Sequence, residues 1–267
     1  MYKISMVSLG CPKNQVDAEM MLATLKTAGF EIGAPEAEAD AIIINTCGFI
    51  EDAKKEAIEN ILEAAEYKKT GKCKALIVTG CLAERYKNDV TEEIPEVDVC
   101  VGIGADGDIA KIVTDALNGS KENVFADKYD LNLNSDRILG GYPFSTYLKI
   151  GDGCDNCCTY CAIPKIRGRY RSRRMEDIVE ETRLLAQDGV KEIVIIAQDV
   201  SRYGLDLYNR LALPELLDKL CEIDGLKWIR MLYCYPERIT DELIDCMKRQ
   251  DKIVKYLDIP MQHCDDA

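Results

Sequence analysis

The chain has 267 residues, too many for one small domain and suited to two, and no apolar run in it approaches the ~18 residues a membrane helix needs. Acids number 47 against 34 bases, a formal net charge of −13, which argues against a protein that coats nucleic acid through a basic surface and leaves a basic protein partner open. Thirteen cysteines stand beside one histidine, His263. A single histidine rules out a two-His metal site and disfavours Ser-His-Asp or Cys-His catalysis. An odd number of cysteines behind an N-terminus that makes no export signal points to metal ligands in a cytoplasmic protein rather than disulfides.

From the start, strand-like and helix-like apolar periods alternate. Lys3–Leu9 reads as a strand and Val16–Ala28 as a helix closed by Gly29. Then come a strand at Ala41–Asn45, a helix at Glu51–Lys69, a strand at Lys74–Thr79 and a short helix at Leu82–Asn88. Val97–Val101 and Asp108–Leu117 repeat the pattern. Short apolar strands alternating with amphipathic helices predict a parallel sheet with helices on both faces. Residues 1–118 form this first domain, and 119–141, polar and glycine-containing, read as a linker.

A second series fills residues 142–267. Its predicted strands are Thr146–Ile150, Glu192–Ala197, Trp228–Tyr233 and Lys255–Ile259. Its predicted helices are Met175–Asp188, Pro214–Ile223 and Asp241–Arg249. The spacing suits right-handed crossovers, as in a (β/α) barrel or an open sheet. The fold class expected is therefore α/β, a parallel sheet domain followed by an incomplete barrel. Because no crossover helix follows the last strand, the sequence is expected to be a fragment, with residues 1–118 able to fold alone and resisting proteolysis better than residues 142–267.

The strongest motif is Gly153-Cys-Asp-Asn-Cys-Cys-Thr-Tyr-Cys161. Cys154, Cys158 and Cys161 are spaced C-x3-C-x2-C directly after a strand, where barrel sites are built. Three thiolates can hold three irons of a cubane and leave the fourth open to a substrate. Cys157 permits a zinc reading through two C-x2-C pairs, which strains so short a loop. Cys11, Cys47 and Cys81 each follow a predicted strand of the first sheet, and in a parallel sheet all such ends share one rim. Gly10 and Gly80 would let the backbone approach a bulky group there. Three unrelated buried thiols remain the plainer alternative; Cys73 and Cys100 fall elsewhere on the sheet, and Cys221 and Cys246 read as packing residues.

Lys165, Arg167, Arg169, Arg171, Arg173 and Arg174 form a basic run, read as an extended segment with a solvated face or as an anion contact beside the cysteine loop; RNA binding is the weaker reading. Gly102-Ile-Gly-Ala-Asp-Gly107 matches a dinucleotide fingerprint but lies late in its unit, where a turn and helix start is expected. The polar loops Ala197–Gly204, Tyr233–Pro236 and Ile259–His263, with Cys234 and Cys264 nearby, should gather at one mouth.

With Tyr160 before its last cysteine, the Cys154–Cys161 loop resembles the radical S-adenosylmethionine superfamily. Together with Cys11, Cys47 and Cys81 it resembles the methylthiotransferases. Ser8-Leu-Gly-Cys-Pro-Lys-Asn14 with Asp17 and Glu19, Ala162-Ile-Pro164 with Arg167-Gly168, and Ala197-Gln-Asp199 with Ser201 and Tyr203-Gly204 resemble the RimO type, which acts on a ribosomal-protein aspartate. The resemblance implies two 4Fe-4S clusters, one on Cys11, Cys47 and Cys81, the other on Cys154, Cys158 and Cys161 with S-adenosylmethionine on its open iron. It implies methylthiolation at the β-carbon of an aspartate in small-subunit ribosomal protein number twelve, with tRNA adenosine as the alternative substrate and a non-catalytic iron–sulfur or zinc module as the alternative class. Tyr160, Gln198 and Asp199 are the cofactor contacts it suggests. A reductant and a sulfur donor are the further partners, no membrane is expected, and the chain is expected to act as a monomer.

Overall fold

A computed structural model of the chain describes residues 1–130 and 133–261. The loop after the predicted strand Lys255–Ile259 lies partly beyond it: His263 and Cys264 fall outside the described residues, as does Asn132. The chain packs as two units, one made of Met1–Ile138 with Cys158–Gly168, the other of Leu139–Cys157 with Arg169–Ala267. Among the described residues no helix is long and apolar enough to cross a membrane.

The first unit runs β1 (Lys3–Ser8), α1 (Pro12–Thr27), β2 (Glu31–Ile32), β3 (Ala41–Thr46), α2 (Glu51–Thr70), β4 (Ala75–Gly80), α3 (Cys81–Tyr86), α4 (Asp89–Glu93), β5 (Val99–Cys100) and α5 (Ile109–Leu117). Its sheet is parallel, in the order β2-β1-β3-β4-β5. All six residues of β3 are buried, because the sheet is covered on both faces. Ala41 and Ile43 face a layer with α1 and α5, built on Met21, Leu25, Ile109 and Val113. Ile42 and Ile44 face the other layer, with Ala57, Ile61 and Ala64 of α2. β2, a two-residue edge strand, lies outside the predicted elements; it is too short to show a period.

The segment expected as a linker differs from that expectation. Val124 bridges to Val101, its N–H donates to the Cys100 carbonyl, and Phe125 packs against the α2 layer. Arg137 pairs with buried Glu19 at 2.6 Å, so the chain stays with the first unit to Ile138. Its apolar residues are too scattered to show a period, but Val124, Phe125 and Ala126 pack against the core of the first unit. The Gly102–Gly107 stretch is a 3-10 turn at Ile103–Asp108. A Cβ on Gly104 would stand 2.3 Å from the Asp127 carbonyl oxygen, so the chain itself fills the space where a pyrophosphate would lie.

The second unit runs β6 (Ser145–Lys149), β7 (Gly151–Asp152), then, after α6 (Ile163–Arg167) of the first unit, β8 (Arg171–Ser172), α7 (Met175–Gln187), β9 (Glu192–Ile196), α8 (Leu205–Tyr208), α9 (Leu213–Cys221), β10 (Trp228–Met231), α10 (Asp241–Arg249) and β11 (Ile253–Leu257). Its main sheet is parallel in the order β6-β9-β10-β11, as successive right-handed crossovers produce. β7 and β8 form a small antiparallel pair. Leu148, Ile195, Ile229 and Met231 bury one face against Ile178, Leu216, Leu220 and Leu243 of the helices. β11 begins two residues before its predicted start, at Ile253, which is the residue that reaches the core. Thr240 caps α10 by accepting the Leu243 N–H at 3.3 Å. Thr240→Ala should cost about 1 kcal/mol, read as a lower urea midpoint with unchanged slope.

Candidate metal centre

The order of the first sheet reverses direction between β1 and β3, and the crevice at such a point, beyond the carboxyl ends of the strands, is where open α/β sheets bind ligands. Cys11 follows β1 and stands as the N-cap of α1. Cys47 follows β3, and Cys81 follows β4 as the first residue of α3. All three therefore sit at carboxyl ends of parallel strands, on one edge.

Glycines make that edge tight. Gly10 has φ +92, and a Cβ on it would meet the Cys47 Cβ at 2.6 Å and its Sγ at 3.2 Å. Gly80 has φ +91 and sits against Asn45 and Thr46, so the turn into Cys81 closes on the end of β3. A Cβ on Gly48 would stand 2.7 Å from the Leu82 Cα. The thiols of Cys47 and Cys81 feel their neighbours. Burial pushes the Cys81 thiol up to about 11, Arg167 opposes this, and the charges of Cys11 and Cys47 add to it. Burial likewise raises the Cys47 thiol, with Cys11 adding and Arg167 opposing.

Asn14 organises the rim. Its Nδ2 donates to the Leu9 carbonyl at 3.0 Å and the Thr46 carbonyl at 2.8 Å, tying the ends of β1 and β3 together. Asn45 returns the bond, its Nδ2 donating to the Asn14 carbonyl at 2.8 Å. The Asn14 Oδ1 accepts from Arg167 Nη2 at 2.8 Å. The same nitrogen lies 3.6 Å from the Cys81 sulfur, and Arg167 Nη1 lies 2.9 Å from Asp17. Arg167 is 1% exposed. The basic run is thus neither extended throughout nor uniformly solvated: α6 interrupts it, Arg167 is sealed in the first unit, and Arg173 is buried in the second against Glu181 and the Lys149 carbonyl.

The second cysteine motif spans the point where the chain passes between units. On the side of the second unit, Cys154 is buried and accepts from the Asn156 N–H at 3.5 Å. Cys157 is exposed, with φ +49. On the side of the first, the Cys161 N–H donates to the Cys158 carbonyl at 2.9 Å and both sulfurs are half-buried. Ala162 packs on a patch of Cys81, Ile103 and Ile166.

The three suggested cofactor contacts differ in kind. Tyr160 is 74% exposed. Gln198 donates through Nε2 to Asp152 at 2.9 Å, while its Oε1 is buried without a donor. Asp199 is fully buried and committed: Ser201 donates to it at 2.6 Å, Asn156 at 3.1 Å, and Arg238 pairs with it at 2.8 Å. Asp199 is therefore a brace joining the loops after β7, β9 and β10. Those loops do gather, since the Val200 N–H donates to the Tyr233 carbonyl and the Tyr235 N–H to Ser201 Oγ.

Among the described residues no three His, Cys, Asp or Glu side chains converge on a single metal ion. A cubane asks something else, one thiolate on each of three separate irons. Three cysteines on one glycine-relieved rim, with a buried cation beside them, fit that donor set and the negative charge it carries. Asn14 and Arg167 are the residues of this rim whose places the sequence does not reveal. For Asn14 the signal is faint, two polar residues at positions 14 and 17 that α1 buries together; for Arg167 there is none.

Comparison with known proteins gives two family matches: residues 3–102 match the uncharacterized protein family UPF0004, and residues 148–267 the radical SAM superfamily. The chain is 54% identical over 267 residues to the ribosomal protein uS12 methylthiotransferase RimO of Lachnoclostridium phytofermentans, covering 99% of this chain and 60% of that one. It is 52% identical to the protein of the same name from Desulforamulus reducens and 49% to that from Clostridium tetani, again covering 60% of each. The chain thus spans about 60% of the length of these curated relatives. Among solved structures, the radical S-adenosylmethionine methyltransferase TsrM of Kitasatospora setae, with cobalamin and a [4Fe-4S] cluster bound, superposes with a TM-score of 0.67 at 12% identity, over 98% of this chain and 61% of that one. The cobalamin-dependent radical enzyme OxsB gives a TM-score of 0.55 at 16% identity, over 90% of this chain and 40% of that one. These two likenesses show the fold alone, a parallel α/β unit followed by a second α/β unit.

Proposed function

Because the chain belongs to the radical S-adenosylmethionine methylthiotransferase family, of the RimO type, we propose that it serves the methylthiolation of an aspartate β-carbon in ribosomal protein uS12, in the cytoplasm. The observation that carries this reading is the glycine-relieved rim bearing Cys11, Cys47 and Cys81 in a chain that also holds the C-x3-C-x2-C loop. Cys11, Cys47 and Cys81 would hold one 4Fe-4S cluster and Cys154, Cys158 and Cys161 the other. When bound, the clusters and S-adenosylmethionine supply a hydrogen-abstracting radical, a sulfur atom and a methyl group.

The chain's own residues bind and orient. Gln198 keeps a buried acceptor, Oε1, available to a donor of S-adenosylmethionine. Tyr160 offers a ring face for its adenine. Asp199, through Asn156, fixes the loop that begins at Cys154. A chain with 47 acids and 34 bases attracts a basic ribosomal protein at long range.

Anaerobic reconstitution of the chain should yield about eight irons, four per cubane, and reductive cleavage of S-adenosylmethionine. Mass spectrometry of a uS12 peptide incubated with the enzyme, a sulfur donor and a reductant should show a methylthio group on one aspartate. Modification of tRNA adenosine with the peptide untouched would overturn the substrate, and zinc in place of iron would overturn the chemistry.

A further inference from the structure

Arg167 is the largest side chain sealed in the structure, and it is a cation placed against cysteine sulfur. Around the rim its guanidinium reaches Cys81 Sγ at 3.6 Å, Asn14 Oδ1 at 2.8 Å and Asp17 at 2.9 Å. A buried arginine held only for packing would be met more cheaply by an apolar residue, since taking a charge out of water costs several kcal/mol. Asp17 is an ion-pair partner of this guanidinium at 2.9 Å, and the two charges offset one another. A cluster held by three thiolates is not neutral. A cubane of charge +2 on three thiolates carries −1, and accepting one electron takes it to −2. On a cluster held by Cys81 the added negative charge would be felt by Arg167, whose guanidinium is sealed from water, where a nearby charge acts strongly.

Resting on the reading that Cys11, Cys47 and Cys81 hold a cluster, we propose that Arg167 is a positioning residue that sets the reduction potential of that cluster: its buried positive charge stabilises the form carrying the extra electron. The electron comes from an external reductant, no bond of the protein is made or broken, and the arginine stays protonated throughout. α6 supplies the aim. It packs against α3, which begins at Cys81, and Ile166 buries beside Cys81 and Ile103. Pro164 occupies the first turn of α6, where it is tolerated, and Gly168, at φ +77, ends the helix directly after the arginine. Lys128 fixes that end by donating to the Lys165 carbonyl at 2.6 Å. The guanidinium therefore has little freedom to withdraw from the sulfur.

The test uses the full chain with Cys154, Cys158 and Cys161 all replaced by alanine, so that only the first triad binds iron. After anaerobic reconstitution it should hold about four irons; a chain without iron here overturns the cluster assignment itself, whatever Arg167 does. With the cluster present, electron paramagnetic resonance is recorded at stepped potentials in dithionite. Arg167→Gln should lower the ratio of reduced to oxidised cluster at a fixed potential at least tenfold, a downward shift of 59 mV for one electron. Arg167→Lys keeps the charge and loses the fork, so it should stay within threefold of the parent ratio. A packing role would treat glutamine and lysine alike. Iron retained with no shift in Arg167→Gln, or a lysine variant as low as the glutamine one, overturns the proposal. Should Arg167→Gln fail to fold, the lysine variant decides alone: a ratio more than threefold below the parent overturns it.

Discussion

Cys158→Ala should cut the iron of the reconstituted chain from about eight to about four per molecule and abolish S-adenosylmethionine cleavage, while Cys157→Ala leaves both unchanged. The two thiols are adjacent and chemically identical, so the contrast comes from backbone geometry. Cys157 has φ +49, in the left-handed region, and is exposed. Cys158 is half-buried, and its carbonyl accepts the Cys161 N–H at 2.9 Å, so a tight turn fixes the backbone between these two thiols. The left-handed conformation costs an L-residue about 1–2 kcal/mol, which glycine escapes. Cys157→Gly should therefore be the more stable of the two Cys157 variants and keep its iron. Iron loss in Cys157→Ala with iron kept in Cys158→Ala would reverse the ligand assignment.

Gly10→Ala should remove the iron of the first triad and leave that of the second, giving about four per chain with S-adenosylmethionine cleavage retained and methylthiolation lost. The new methyl group would stand 2.6 Å from the Cys47 Cβ, an atom that no side-chain rotation can move. The strain of φ +92 adds about 1–2 kcal/mol. Gly29→Ala is the control. It has φ +90, but nothing lies within 4 Å of the added carbon. It should show the strain as a lower denaturation midpoint with all iron kept. If both variants lose iron equally, general destabilisation and not the rim accounts for the effect.

Both predictions depend on sites that differ in how openly the sequence displays them. The rim of Cys11, Cys47 and Cys81 could be read because a parallel sheet sends every carboxyl end the same way. Three strand ends are then three points on one edge, however far apart in sequence. Apolar runs such as Ala41–Thr46 marked those strands plainly. Arg167 could not be read, because a charge run shows charge and not burial. Nothing in Lys165–Arg174 separates sealed Arg167 from exposed Arg169, and the distinction arises only when α6 turns one of them inward. Asp199 posed the same difficulty in reverse. A polar residue after a strand looks like a ligand contact, yet its carboxylate is occupied by Ser201, Asn156 and Arg238. The segment after α5 was hidden for a third reason: Val124, Phe125 and Arg137 each find a partner singly, with no period to announce them.

α6 makes the first packing unit discontinuous along the chain, and that bears on synthesis. Domains generally fold as they leave the ribosome, N-terminal first, at about 5–20 residues per second. The sheet of the first unit can assemble once β5 has emerged. Its polar centre cannot, because the cation that Asp17 and Asn14 receive is encoded at residue 167, beyond β6 and β7 of the other unit. Nascent chains that have emerged as far as residue 140 should therefore carry a formed sheet with an open rim, and emergence of residue 168 should close it. The same order governs exchange of parts between relatives. A crossover placed between the two matched regions, 3–102 and 148–267, separates Arg167 from α1, where it meets Asp17 and Asn14. A hybrid made there needs an acid and an amide at positions 17 and 14 that suit the incoming arginine, and removing one member of such a buried pair costs about 3–5 kcal/mol.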